Sequence, residues 1–438
     1  MPEGSLQKNL SRRDAMSLGA LTLASLCLGG FGGCASSSSS GSAGQSPAGS
    51  SAPSVPTAST VSVASHDLTE AERMATSAFA SKSLAALARS AEGENLCYSP
   101  ISAYLCLALV ALGAEGETLD EALDALGSTD IDSLAESCRS IIDGLAYSDK
   151  SGALSFADAI WSSPEWPFAD SYAATAAAAL DATAQTAPFS DGTAQREMAQ
   201  WVEEHTNGLI APDLSYIDQR AVAALVNAVY FKGRWPGVCF GEKSVSKREF
   251  KTRDDTIKVD FISDTFESAY GSLEGCSAAS ASFVGGSTIT FYLPPEGVEL
   301  SEFLSDEKKV NELFSAELPE SGEVAWSIPK FDFSSGKLDL VSVLAGMGVS
   351  RAFSPGAELS PMFDQPVPFD LHIEDFVQEA RIALDEYGVE AAAYTAAAMS
   401  FGVAYESVVF MLDRPFAYAI KSADGTLLFV GKVENPIA

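Results

Sequence analysis

A run of very small side chains near the C-terminus constrains the fold of this chain more than any other feature. Residues 386–398 read Glu-Tyr-Gly-Val-Glu-Ala-Ala-Ala-Tyr-Thr-Ala-Ala-Ala. At the two-residue period of a strand, Val389 and the alternate small residues after it share one face, whereas Glu390 and Tyr394 share the other. Such a segment can slide between two existing strands with its small face over a core.

An ordinary helix is the alternative for this run, because alanine is the best helix former. The sequence downstream favours the strand. Residues 399–405 are uncharged, small and aromatic without a helical pattern, and they lead into the segment Asp-Arg-Pro-Phe that ends at Phe416. We therefore expect an exposed segment that changes its structure.

The pattern Glu-x-Gly-x-Glu-Ala-Ala-Ala-x-Thr, followed by a variable loop, Asp-Arg-Pro-Phe and a terminal Phe-Val-Gly-Lys-Val-Glu-Asn-Pro, resembles a serpin. Most members of that family inhibit proteases. Further motifs occur in the family's order over residues 66–438. They are Asn95-Leu-Cys-Tyr-Ser-Pro-Ile-Ser102, Ala111-Leu-Gly-Ala-Glu-Gly-Glu-Thr118, Val226-Asn-Ala-Val-Tyr-Phe-Lys-Gly-Arg-Trp235, Phe291-Tyr-Leu-Pro-Pro295, Ile328-Pro-Lys-Phe331 and Leu344-Ala-Gly-Met-Gly-Val-Ser-Arg-Ala-Phe353.

Hydrophobic periodicity by itself predicts an α+β domain with antiparallel sheets. Helical spacing of apolar residues dominates the first half, over residues 69–90, 100–112, 118–126, 131–146 and 194–206. Strand patterns dominate the second half, over residues 225–231, 256–262, 288–293, 324–328, 379–384, 417–421 and 427–433. The resemblance implies three β-sheets surrounded by eight or nine helices, with an exposed reactive-centre loop at about residues 386–407.

The resemblance also implies a suicide substrate of serine endopeptidases rather than an enzyme. A protease cleaves the loop, the loop inserts into the main sheet, and the acyl-enzyme is trapped. The sequence contains three histidines and no Gly-x-Ser-x-Gly, Walker or His-Glu-x-x-His motif, so it does not favour a hydrolase. A non-inhibitory serpin that acts as a carrier or substrate is the nearest alternative, and a plain surface-binding module is another.

Three groups of functional residues carry over from the family by position. The hinge that starts the loop comprises Glu386, Gly388, Val389, Glu390, Ala391, Ala392 and Ala393. The latch at the top of the main sheet pairs Lys330 with Glu386 beside Trp235. The shutter beneath the opening strands comprises Ser99, Ser102, Asn227 and Gln378, where Gln378 replaces the histidine that most members carry.

The scissile bond is expected between Gly402 and Val403, by the family's usual spacing from Glu386. Counting back from Phe416 allows any bond from Phe401 to Ala404. The window contains no arginine or lysine, so we expect an elastase-like or subtilisin-like target. A chymotrypsin-like enzyme using Phe401 or Tyr405, and a papain-like cysteine protease using Phe401 beside Gly402, remain alternatives.

The N-terminus is typical of an export signal. Residues 1–33 contain paired arginines, an apolar run and small residues before Cys34, as in a twin-arginine signal of a bacterial lipoprotein, with Cys34 as the lipid attachment site. Residues 34–65 form a Ser/Ala/Gly/Pro tether that cannot build a core. We expect a cell-surface lipoprotein, with simple secretion as the alternative.

Charge and cysteine content limit the partners. Lys and Arg number 27 against 59 Asp and Glu, a formal charge of -32, which disfavours nucleic acid and anionic membranes. Membrane contact is therefore expected only through a lipid on Cys34. The five cysteines that follow Cys34 are odd in number and form no Cys-x-x-Cys pair, so we expect no metal. We also expect no cofactor and a monomer whose partner is a serine, or alternatively a cysteine, endopeptidase.

Overall fold

The first helix of the folded domain begins at a capping box. The Thr69 hydroxyl accepts a hydrogen bond from the Glu72 backbone N–H at 3.3 Å, and the Glu72 carboxylate accepts one from the Thr69 N–H at 2.7 Å. These two bonds satisfy donors that have no partner within the helix, so the helix starts at Glu70.

The structure, a computed structural model, describes residues 20–28, 68–206, 208, 212–237, 239–241, 244–389 and 407–437. Within them the α-helices are α1 (Glu70–Ser90), α2 (Pro100–Ala111), α3 (Gly116–Leu126), α4 (Ile131–Leu145), α5 (Asp170–Leu180), α6 (Thr193–His205), α7 (Leu300–Leu304), α8 (Glu307–Ser315) and α9 (Val341–Gly346). The strands are β1 (Ala20–Leu28), β2 (Leu96–Tyr98), β3 (Tyr147–Ser148), β4 (Gly152–Ser162), β5 (Thr183–Thr186), β6 (Ala223–Arg234), β7 (Val245–Lys251), β8 (Thr256–Leu273), β9 (Cys276–Ser282), β10 (Thr288–Leu293), β11 (Glu320–Pro329), β12 (Phe331–Asp339), β13 (His372–Asp385), β14 (Gly388–Val389), β15 (Val408–Met411), β16 (Phe416–Lys421) and β17 (Leu427–Val433).

The main sheet has eight strands, and β13 and β6 lie at its centre. The space between these two strands, here called the gap, is one strand wide. At one end it holds β14, which runs antiparallel to both neighbours. The rest holds β1, which runs parallel to both. Ser25 of β1 is level with Gln378 on β13 and with Asn227 on β6, so closing the gap would bring those two residues side by side.

Strand β1 is the apolar run of the expected export signal. An extended segment fits this position because β6 and β13 each present a row of backbone N–H and C=O groups to the gap, and a strand between them can form hydrogen bonds with both rows. Removal of residues 1–33 would leave those groups for another strand. The expected tether and Cys34 lie outside the described residues.

The second sheet has nine strands in the order β15-β11-β8-β9-β10-β16-β17-β2, with β7 also paired to β8. Strand β8 is 18 residues long, so it pairs with β7 and β11 along one part and with β9 along another. Hydrogen bonding thus joins the two smaller sheets of the expected fold into one continuous set of strands.

The core lies on both faces of the main sheet. On one face is α2, in which every residue from Pro100 to Ala111 is buried. On the other face α6 packs Met198 and Trp201 against Val226 and Tyr230 of β6. The expected α+β class is confirmed. Cys97, Cys106, Cys138, Cys239 and Cys276 are all buried free thiols. None of the described helices combines the length and apolar character needed to cross a bilayer.

Candidate functional site

The hinge begins with a tight turn from β13 into β14. The Tyr387 N–H donates to Asp385 Oδ1 at 2.8 Å and closes the turn. Asp385 is buried, and this loss of hydration raises the pKa of its carboxyl. The turn therefore reverses the chain at the end of β13 and directs it back into the gap.

The latch residues meet at this turn. Lys330 Nζ lies 2.6 Å from Glu386 Oε2, and the two side chains are 31% and 13% exposed. The short distance between opposite charges makes this contact an ion pair. The Trp235 indole N–H donates to Asp385 O at 2.9 Å, and its backbone N–H donates to Tyr387 O at 3.1 Å. Its ring stacks on Phe283 at a centroid distance of 4.7 Å.

Gly388 and Val389 occupy the entrance of the gap. Gly388 has φ +138°, and a Cβ built on it would lie 2.1 Å from the carbonyl oxygen of Gly233. Only glycine fits there. Val389 pairs with Leu384 and Gly233, and its side chain is fully buried in the core. The remaining hinge residues, Glu390, Ala391, Ala392 and Ala393, lie outside the described residues, as do Gly402, Val403 and the window Phe401 to Ala404.

The shutter residues form two hydrogen-bonded halves at the buried N-terminus of α2. On the β13 side, Gln378 binds the backbone of Ser99 twice: its amide oxygen accepts from Ser99 N–H at 2.8 Å, and its amide nitrogen donates to Ser99 O at 2.9 Å. On the β6 side, the Ser102 hydroxyl donates to Asn227 Oδ1. The Ser102 N–H donates to the Ser99 hydroxyl at 3.4 Å and links the halves.

A fifth residue completes this arrangement and was missed from the sequence. Asn227 Nδ2 donates to Asp158 Oδ1 on β4 at 2.9 Å, and Asp158 is buried. We call Ser99, Ser102, Asp158, Asn227 and Gln378 the polar cluster. A signal was available, since Asp158 is the single charge in the apolar run from Phe156 to Trp161.

The arrangement brings three features together around the gap. Helix and strand ends position a buried hinge, an ion pair and a buried network of amides, hydroxyls and the Asp158 carboxyl. Among the described residues no three His, Cys, Asp or Glu side chains are grouped to hold a metal ion.

Replacing Lys330 with glutamine should lower the free energy of unfolding only slightly, by roughly 1 kcal/mol or less, because the pair is partly exposed. It should nevertheless speed the spontaneous loss, at elevated temperature, of the protease trapping that the resemblance implies, since Glu386 then loses the cation that holds the turn. Residual trapping of a target protease after timed incubation measures this loss. Lys247→Gln is the matched control, because its pair with Asp260 is longer, at 3.7 Å, and more exposed. Equal rates in both variants would contradict the role of the latch.

Comparison with known proteins gives one consistent result. A family model described as Serpin (serine protease inhibitor) matches residues 74–436. The curated Serpin-Z2A from Oryza sativa subsp. japonica is 32% identical over 395 residues, covering 78% of this chain and 92% of that protein.

Solved structures agree with the family match. The crystal structure of Serpin48, described as a highly specific serpin in the insect Tenebrio molitor, is 25% identical with a TM-score of 0.74 and covers 84% of this chain and 99% of that one. Human thyroxine-binding globulin complexed with its ligand has a TM-score of 0.75 at 21% identity, covering 84% and 100% of the two chains, and shares the fold.

Proposed function

Since the chain belongs to the serpin family, we propose that it inhibits a serine endopeptidase by suicide cleavage of its reactive-centre loop. The observation that carries this proposal is the gap. It lies between β6 and β13 at the centre of the main sheet, is one strand wide, and is already entered by Gly388 and the buried Val389.

The register at the entrance extends naturally into the loop. Val389 pairs with Leu384 and with Gly233. Continuing both antiparallel ladders one residue at a time would bring Thr395 level with Gln378 and also with Asn227, where Ser25 lies in the structure. The two ladders agree, so one inserted strand can pair with both neighbours. Alternate small residues after Val389 would then lie over the core.

Insertion after cleavage would do the work of inhibition. Cleavage leaves the protease attached as an acyl-enzyme to the carbonyl of the residue before the cut. The loop segment that precedes the cut then moves into the gap as a strand. New backbone hydrogen bonds and burial of the small side chains stabilise the filled sheet. The attached protease is carried with the strand before the acyl bond is hydrolysed.

The target we favour is an elastase-like or subtilisin-like enzyme that cleaves between Gly402 and Val403, within the window Phe401 to Ala404. Its small specificity pocket accepts Gly402 or Ala404. A papain-like cysteine protease is the second choice for the target. The chain lacks a lysine or arginine in this window, which argues against a trypsin-like enzyme.

Incubation with subtilisin-like, elastase-like, chymotrypsin-like and papain-like proteases tests the proposal. We expect a band at the summed mass on a denaturing gel with at least one of the first two enzymes, and a released C-terminal peptide that begins within the window. Cleavage in the window by both enzymes without such a band would overturn inhibition by trapping for those targets. A catalytically inactive protease is the control for non-covalent binding.

A carrier is the other function to test, because thyroxine-binding globulin shares the fold. One described cavity, of about 270 Å³, is lined by charged and polar side chains that include Arg89, Glu92 and Glu302. That lining does not favour a largely apolar ligand. A carrier would be cleaved without trapping, and cleavage would change its ligand affinity instead.

Residues 20–28 and the loop compete for the same gap, so the full chain should trap less protease than a chain that begins at Cys34. We expect a difference of about tenfold or more, because only molecules with a vacant gap are competent. Stopped incubations quantified on a denaturing gel give the trapped fraction of each chain. Leu23→Pro in the full chain should restore trapping, since proline cannot join a central strand. Equal trapping by the two chains would show that residues 20–28 leave the gap freely.

We further propose that the mature protein is extracellular, as a bacterial cell-surface lipoprotein anchored through Cys34 or as a secreted protein. The support is the N-terminal sequence, in which paired arginines, an apolar run and small residues precede Cys34. Metabolic labelling with a fatty acid, and its loss in Cys34→Ala, tests lipid attachment.

A further inference from the structure

The polar cluster contains one ionisable group, Asp158. Ser99, Ser102, Asn227 and Gln378 are hydroxyls and amides that stay neutral throughout the physiological pH range. Asp158 is 2% exposed, and one of its two carboxyl oxygens is bound by Asn227 Nδ2 at 2.9 Å. The other oxygen, Oδ2, is buried and has no hydrogen-bond partner among the described residues.

The surroundings of Asp158 disfavour a negative charge. Its strand neighbours Leu154 and Ile160 belong to the apolar core. Helix α4 presents the buried thiol of Cys138, and the end of α5 presents the carboxylate of Asp181, which adds a second negative charge. Arg139 binds Asp181 at 2.7 Å and Asp143 as well, so its charge is already shared. From β6 and α2 the groups that face the cluster are the neutral Asn227 and Ser102.

The position of Asp158 connects this charge to the gap. Asn227 borders the gap on β6, and it is held from behind by Asp158 on β4. Gln378 borders the gap on the opposite side and is held by Ser99. A strand that fills the gap therefore passes directly between the two amides, with Asp158 one strand away.

We propose that Asp158 makes the stability of the strand-filled main sheet depend on pH around neutrality, and that it does so through its bond to Asn227. The inference rests on the proposed function for its biological use, because the filled sheet is the product that drives trapping. Gln378 cannot take this role, since an amide does not ionise. The ionisable position of the cluster lies on β4 instead.

The direction follows from the burial of the carboxyl. Loss of hydration is the main cause that raises the pKa of Asp158 to about 7, with Asp181 adding to it and the Asn227 hydrogen bond opposing it. An unfolded aspartate ionises near pH 4. The folded protein therefore binds one more proton than the unfolded chain between about pH 4 and about pH 7. The contribution of Asp158 to the free energy of unfolding is therefore largest below this range, falls as the pH rises through it, and is lost above about pH 7.

Thermal unfolding of the loop-cleaved protein from about pH 5 to about pH 9 tests the proposal against Asp158→Asn, which keeps the size of the side chain and removes its charge. The melting temperature of the parent protein should fall relative to the variant up to about pH 7 and then run parallel, with a total divergence of a few degrees. Asp364→Asn is the matched control, since Asp364 is exposed, and its curve should follow the parent. Parallel curves for the parent and Asp158→Asn would overturn the proposal.

Two further measurements keep the outcomes distinct. Difference infrared spectra of the parent protein should show the carbonyl band of a protonated carboxyl that disappears through neutrality. In Asp158→Asn this band should be weaker by one carboxyl, since the buried Asp385 also has a raised pKa. Absence of that band in the parent at mildly acidic pH would overturn the proposal even if the variant misfolds. A cleaved form no more stable than the intact form would instead count against the proposed trapping mechanism, while the titration of Asp158 would still be visible in both forms.

Discussion

Replacing Val389 with glutamate should convert the inhibitor into a substrate that the protease cuts and leaves. Val389 is fully buried at the entrance of the gap, where it pairs with Leu384 and Gly233. A carboxylate at this position would lose its hydration without a cation to pair with, at a cost of several kcal/mol. This cost would expel β14 from the gap in the intact protein, so insertion after cleavage would have to bury the carboxylate again. Since each 1.4 kcal/mol slows a step tenfold, insertion should slow by about 100-fold or more.

The partition between trapped and cleaved protein measures this effect. We expect the parent to give mainly the covalent band and Val389→Glu to give mainly cleaved chain at the same rate of loop cleavage. Val389→Thr is the control, because it has nearly the same shape and no charge, and it should still trap. An undiminished covalent band for Val389→Glu would mean that trapping does not require residue 389 to be buried in the gap.

Replacing Gly388 with alanine should have the second largest effect, because it changes the backbone of the hinge itself. The added Cβ would lie 2.1 Å from Gly233 O, and the φ of +138° is not available to alanine without strain. Strand β14 must then leave β6. We expect a loss of about 1–3 kcal/mol in the free energy of unfolding, together with weaker trapping.

Denaturant unfolding and the trapping assay together test this expectation. Gly346→Ala serves as the control, since nothing lies within 4 Å of its added Cβ and its φ is not positive. It should leave both measurements nearly unchanged. If Gly388→Ala were as stable and as active as the control, the pairing of Gly388 with Arg234 would have no part in native stability or insertion.

Periodicity predicted five of the nine described α-helices and missed α5, α7, α8 and α9. Residues 69–90 were expected to be helical, and α1 covers Glu70–Ser90 behind its capping threonine. The helix predicted over residues 131–146 is α4, Ile131–Leu145, where the Asp130 side chain accepts from Ser133 N–H. All seven predicted strands exist, although β8 extends far beyond residues 256–262. The part of β8 after residue 262 is mostly half-buried or exposed and mixes polar with apolar residues, so no apolar pattern marked it as a strand.

Strand β4 was missed because it has no simple alternation. Its central residues Ala157, Asp158 and Ala159 are small or charged. The strand is nevertheless paired on both sides, with β6 on one side and with β3 and β5 on the other. The resemblance to serpins implied that Lys330, Trp235 and Glu386 belong to one site, and the three residues lie together in the structure. Asp158 could not be found in that way, since its importance depends on Asn227, which lies directly opposite it on the neighbouring strand β6.

Connectivity also dictates the order of events in this fold. The loop leaves the main sheet at Val389 and joins the second sheet at β15, which pairs with β11 close to Lys330 and therefore near the entrance of the gap. Filling the gap to the level of His372 would use the loop to about Phe401 and place that residue about 40 Å from the entrance.

The six residues from Gly402 to Ser407 reach at most about 22 Å, so they cannot return to β15 over that distance. An intact loop can complete the strand only if β15 is stripped from β11. Backbone scission removes this obligation, because the C-terminal fragment keeps its own strands, β15 to β17. In the proposed mechanism the cleaved molecule is then a non-covalent complex of its own two pieces, and the protease remains attached to the larger piece.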